Sequence, residues 1–110
     1  MAHTHNYSRQ TLEAARILGN LIAAARRERR WAAADLAERA GISLPTLRKI
    51  ERGETTVAIG LAFEVATLVG VRLFGVQPDD LPSLLSRTTD TLALLPERVR
   101  EPRESVNDDF

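Results

Sequence analysis

The stretch Ala40–Gly53, AGISLPTLRKIERG, sets a proline inside what otherwise reads as a short helix and then places three basic residues on one side of it. Ser43 is a good N-cap, which makes Leu44 and Pro45 the first two helical positions. First-turn amides have no partner within the helix, so a proline there removes nothing. Pro45 therefore marks the start of a helix. Gly41, just ahead, permits the positive φ of a tight connection, and Gly53 stops the helix after about two and a half turns. At about 100° per residue, Leu47 and Ile50 point one way, and Pro45, Arg48, Lys49 and Arg52 the other. Leu44, Thr46 and Glu51 lie on the flanks.

Working outward, a short helix is predicted at about 33–40, with Leu36, Ala37 and Ala40 as its inner stripe. A longer one is predicted from about Ser8 to Arg29, where Leu12, Ala15, Leu18, Ile22 and Ala25 recur three or four apart. That leaves Arg9, Arg16, Arg27 and Arg30 for the rim or solvent. A fourth helix is predicted over about 59–69, with Leu61, Val65 and Leu68 inward and Gly70 at its end. Val71 to Val76 alternates briefly and reads as a loop or a short edge strand. Asp80 is expected to cap a fifth helix, with Pro82 in its first turn and Leu81, Leu84, Leu85, Leu92 and Leu95 along one side. The expected division is a domain at 1–76, a C-terminal helix at 77–95 and a flexible acidic tail at 96–110. The fold class is all-α.

Composition narrows the function classes. At 110 residues the chain is one ordinary domain in size, 44% hydrophobic but only 5% aromatic, so its core is aliphatic. With no cysteine, disulfides and thiolate zinc sites are excluded. The longest apolar run, VAIGLAF at Val57–Phe63, is far below the roughly 20 residues a bilayer needs, and the N-terminus lacks a signal-peptide pattern. A cytoplasmic protein is expected. His3 and His5 are too sparse for a metal site, and Asp79 and Asp80 read as caps. No histidine or nucleophile is placed to make a catalytic pair, so neither an enzyme nor a cofactor is expected. The net charge of zero hides an asymmetry: residues 1–53 carry 10 Lys/Arg against 5 Asp/Glu, and residues 54–110 carry 5 against 10. A basic half beside an acidic half suggests separate surfaces, one of them for an anionic partner.

Two helices joined at Gly41, the second basic on its outside, form the layout of a helix-turn-helix, whose second helix fits the DNA major groove. LAERAGIS (Leu36–Ser43), TLRKIERG (Thr46–Gly53) and ATLVGV (Ala66–Val71) carry a resemblance over Leu18–Val71 to the XRE-type, lambda-repressor-like DNA-binding domain of five short helices. The resemblance implies a structural salt bridge between Arg26 and Glu51. It puts Leu44, Pro45, Arg48 and Lys49 at base edges and Ser43, Thr46 and Arg52 at phosphates. It adds the amides around Thr55 and Thr56, taken to open the fourth helix. Leu44-Pro45 offers a thymine methyl an apolar surface, and Arg48 or Lys49 would read guanine. Ala32 and Ala33 depart from the family's pattern of a Ser or Thr cap and a Gln at those positions, which implies weaker anchoring by the second helix.

Within that family, Thr56–Gly75, LLPERVR (Leu94–Arg100) and the terminal DDF most resemble HipB-type antitoxins. That likeness implies a homodimeric repressor that binds a double-stranded DNA operator in its own promoter and neutralises a HipA-like serine/threonine kinase toxin. Phe110 would be the apolar anchor of the tail, although an ordinary frayed terminus reads the same. The leucine stripe at Leu81–Leu95 is either a dimer surface or packing within its own domain. Alternatives are a free-standing regulator without a toxin partner, or an interaction module that has lost DNA binding.

Overall fold

Ser8 and Ser43 open two helices by the same device. Each Oγ accepts the amide N–H three residues on, from Thr11 and Thr46 respectively, at 3.2 Å. The structure, a computed structural model, describes residues 5–99. Its helices are α1 (Arg9–Glu28), α2 (Ala33–Ala40), α3 (Leu44–Arg52), α4 (Ile59–Leu68) and α5 (Leu81–Ala93). Among the described residues there is no strand, so the fold is all-α. Those residues divide between Pro78 and Asp79 into two units.

In the first unit α1 to α4 end alike, each by a reverse loop in which an amide bonds to the carbonyl five residues back. Trp31 N–H bonds to Arg26, Ile42 to Ala37, Glu54 to Lys49 and Val71 to Ala66, all at 2.9–3.1 Å. The residue before each donor takes a left-handed conformation. Three of these are glycines (Gly41, Gly53 and Gly70), but after α1 the position is filled by Arg30, at φ 59°. A side chain there costs about 1 kcal/mol. Arg30→Gly is accordingly expected to stabilise the first unit by about that much and to raise its melting temperature by about 4–8 °C. Thermal unfolding followed by circular dichroism checks it; an unchanged midpoint would show that Arg30 makes compensating contacts.

The core gathers Ile22 from α1, Leu36 and Ala37 from α2, Leu47 and Ile50 from α3, and Val65, Ala66 and Val69 from α4 and its end, closed by Val71. Each large aliphatic buried there contributes about 1.5–3 kcal/mol, and Leu47 is fully buried. The two apolar residues of α3 hold it by its inner side, which turns its basic side outward. Where α1 crosses α3 the backbones nearly touch. A Cβ on Gly19 would stand 2.6 Å from the carbonyl oxygens of Ile50 and Glu51, and one on Gly53 would stand 2.6 Å from Arg16 Cα.

Several expectations are corrected. Leu12 and Leu61 were expected inward but are exposed, because Leu18, Ile22 and Ala25 already fill the α1 contact and Ala62 does the same on α4. The fourth helix opens at Ile59 with Ala58 at its cap position, so Thr55 and Thr56 lie in the preceding turn and do not begin it. Val71–Val76 is no strand. Val71 is buried, and Leu73–Gly75 makes a 3-10 turn in which Phe74 takes φ 57° and meets Phe63 edge to face at 6.0 Å between centroids.

In the second unit, α5 has Asp80 at its cap position, but the Asp80 side chain makes no capping hydrogen bond. The helix ends at Ala93, short of the predicted Leu95.

Candidate nucleic-acid interface

Ser43 Oγ accepts the Thr46 amide and donates its own proton to Thr46 Oγ1 at 2.9 Å. The serine is thus committed to the cap, and the Thr46 hydroxyl proton is left to donate outward. From that cap α3 runs with Pro45, Arg48, Lys49 and Arg52 exposed. On a helical wheel they fill an arc of about 100°, in the order Arg48, Arg52, Pro45, Lys49. Leu44 is half-buried and packed against the core, so Pro45 is the outward member of that pair. Thr55 is half-buried and Thr56 exposed in the turn beyond Gly53.

Arg26 locks this helix to α1. Its Nε donates to Glu51 Oε2 at 2.7 Å and its Nη2 to Glu51 Oε1 at 3.1 Å, while Nη1 donates to the Trp31 carbonyl at 2.8 Å. The hydrogen-bonded Glu51 carboxylate raises the pKa of Arg26 above the ordinary guanidinium value, against the opposing effect of burial. One side chain thereby joins α1, the α1–α2 connection and α3. Trp31 packs against the core, and the Arg39 guanidinium lies 4.2 Å from its ring centroid. A ring so engaged serves the packing of the α1–α2 connection and is no stacking platform for bases.

Arg52 is not idle on the surface. Its Nη2 and Nε both donate to Glu54 Oε2, at 2.7 and 3.0 Å. The pair is solvent-exposed and is worth about 0–1 kcal/mol. A phosphate can displace Glu54 at small cost.

An open groove of about 560 Å³ runs between α1 and α3, lined by Asn20, Ala23, Ala24 and Arg27 on one wall and Arg48, Glu51 and Arg52 on the other. Glu51 is turned to Arg26, so three guanidiniums dominate this groove. Arg27 and Asn20 are its unforeseen members. Their signal was legible, since 20, 23, 24 and 27 fall on one helical stripe of small and polar residues beside the predicted core stripe. Ala32, at the cap position of α2, makes no side-chain bond, so α2 opens without a capping hydroxyl. Asp35 in its first turn offsets part of that loss through the helix dipole.

His3, set aside above as a metal ligand, and Phe110, expected as the anchor of the tail, lie outside the described residues. No helix among the described residues is long and apolar enough to cross a membrane.

The helix-turn-helix family profile matches residues 22–80, from the middle of α1 to the edge of α5. No curated protein and no solved structure gives a significant match. A serine-capped, outwardly basic α3, held by its apolar side against α1 and α2, in a chain whose profile match covers more than half its length, places this protein in the XRE-type helix-turn-helix family of DNA-binding transcription regulators.

Proposed function

We propose that the protein is a homodimeric, sequence-specific repressor, cytoplasmic, whose α3 enters the major groove of its operator. The observation that carries this reading is the uncovered arc of Pro45, Arg48, Lys49 and Arg52. In this reading Leu44, Pro45, Arg48 and Lys49 approach base edges, with Arg48 or Lys49 on guanine O6 and N7 and the Leu44-Pro45 surface on a thymine methyl. Thr46, Arg52 and the turn at Thr55 and Thr56 approach phosphates, and Ser43, expected there too, acts through the cap that orients the Thr46 hydroxyl. Arg27 joins them from the α1 wall of the groove.

Arg48→Ala should cost about 1–3 kcal/mol at the cognate site and relax sequence preference. Arg52→Ala should weaken binding to all sequences alike and flatten the dependence of affinity on salt. Gel shifts and fluorescence anisotropy with the protein's own upstream DNA and with random DNA, at several salt concentrations, separate the two. Parent-like binding by both variants would show that this face does not meet DNA, as in an interaction module that keeps only the scaffold.

The finer reading is a HipB-type antitoxin that represses its own operon and neutralises a HipA-like kinase. Its support is the likeness of Thr56–Gly75, Leu94–Arg100 and the terminal DDF to that group. Co-purification from the native operon with mass measurement tests it. Recovery of a homodimer with no second chain would favour a free-standing regulator.

A further inference from the structure

Of the cations that α3 turns outward, Arg52 alone is already engaged. Among the described residues Arg48 and Lys49 of α3, and Arg27 on the facing wall, take part in no ion pair. Arg52 gives both Nε and Nη2 to one oxygen, Oε2, of Glu54, at 3.0 and 2.7 Å. The backbone fixes this meeting. Gly53, at φ 77°, reverses the chain, and the Glu54 amide bonds back to the Lys49 carbonyl at 3.0 Å, so the residue after the turn lies over the end of α3. Glu54 does not line the groove of Arg27, Arg48 and Arg52, so it holds the guanidinium from the turn and leaves the groove open.

The fold gains little from the pair. Both side chains are exposed, at 58% and 38%, and exposed ion pairs add little to stability. The carboxylate also stands at the negative end of the α3 dipole, where a cation is favoured. Its chemistry is instead that of the DNA backbone. An anionic oxygen that accepts two N–H bonds from one guanidinium is what a phosphate offers an arginine.

Building on the reading that places Arg52 at a phosphate, we propose that Glu54 is an intramolecular stand-in for that phosphate. It holds the Arg52 guanidinium until DNA displaces it, and so sets the strength of binding to every sequence. Arg52 then enters the complex by exchanging one anion for another. The exchange costs a factor of up to about five in affinity. The released carboxylate, which the backbone keeps beside the end of α3, also repels the incoming phosphate. Because the exchange is made at the DNA backbone, it weakens binding to operator and random DNA alike and leaves sequence preference unchanged.

Fluorescence anisotropy tests this with the full chain as parent, Glu54→Gln, Arg52→Ala and the two combined. The probes are a random-sequence duplex and the protein's own upstream DNA, over a range of salt. Glu54→Gln should tighten binding to both by about threefold to tenfold at low salt. Its affinity should fall more steeply with salt, the slope of log affinity against log salt being larger by up to about one. The ratio of the two affinities should stay as in the parent. With Arg52→Ala present, Glu54→Gln should change affinity by about twofold or less. Equal tightening with and without Arg52 would mean that Glu54 acts through its charge alone, and no tightening that Arg52 is not held back; either overturns the proposal. So does a lowered melting midpoint with unchanged DNA binding, the mark of a role in folding alone. Parent-like binding by Arg52→Ala removes the phosphate reading of Arg52 as well, whereas a weakened Arg52→Ala beside a parent-like Glu54→Gln removes only the role of Glu54.

Discussion

Gly53→Ala is expected to destabilise the first unit by about 2–4 kcal/mol, while Gly41→Ala costs about 1 kcal/mol. Both glycines take positive φ, 77° and 71°, and both close a helix with the same reverse loop. They differ in what lies beside them. An added Cβ at Gly41 meets nothing within 4 Å, but at Gly53 it meets the α1 backbone, with Arg16 Cα at 2.6 Å and the Ala15 carbonyl at 2.8 Å. Backbone cannot swing aside as a flexible side chain would, so the end of α3 must lift from α1. That lift also reshapes the groove of Arg27, Arg48 and Arg52, so DNA affinity should fall with stability. Urea unfolding of the two variants side by side measures the difference. Equal losses would mean that the α1–α3 crossing is looser than described.

Arg26→Ala should cost about 3 kcal/mol, more than any exposed ion pair could. The Arg26 and Glu51 side chains are only 12% and 13% exposed, so truncating the arginine strands a carboxylate and the Trp31 carbonyl where water reaches poorly. The loss reflects that stranded partner more than the attraction itself. Hence Arg26→Met combined with Glu51→Leu should stay within about 1 kcal/mol of the parent. A double-mutant cycle by urea unfolding decides this, and a combined variant as damaged as the single one would show that the pair supplies stability outright. Because folding raises the Arg26 pKa above its ordinary value, its contribution is fully present below that value and is lost only as pH rises through the folded pKa. Arg26 therefore adds no pH dependence near neutrality.

Arg30 and Gly53 show where sequence reading succeeds and where it stops. A glycine after a helix is a local signal, because left-handed backbone disfavours a side chain wherever it occurs. The stops at Gly41, Gly53 and Gly70 were legible for that reason. Arg30 makes the same turn with no such signal, and only the bonds from Trp31 to Arg26 and from Arg30 to Arg27 reveal it. Leu12 and Leu61 failed differently. Periodicity marks a stripe wide enough to be buried, but which edge of it meets a neighbour depends on the neighbour.

The residues by themselves determined the helices of the first unit, the serine cap and early proline of α3, and which side of that helix would be basic. These follow from backbone sterics and a 3.6-residue period, which act within a few positions of each other. Only the tertiary structure decided that Gly19 and Gly53 bring α1 against α3 and that Arg27 shares a groove with Arg48 and Arg52. Those facts depend on the distance between segments far apart in the chain, set by how the core side chains pack, and no local pattern encodes that distance.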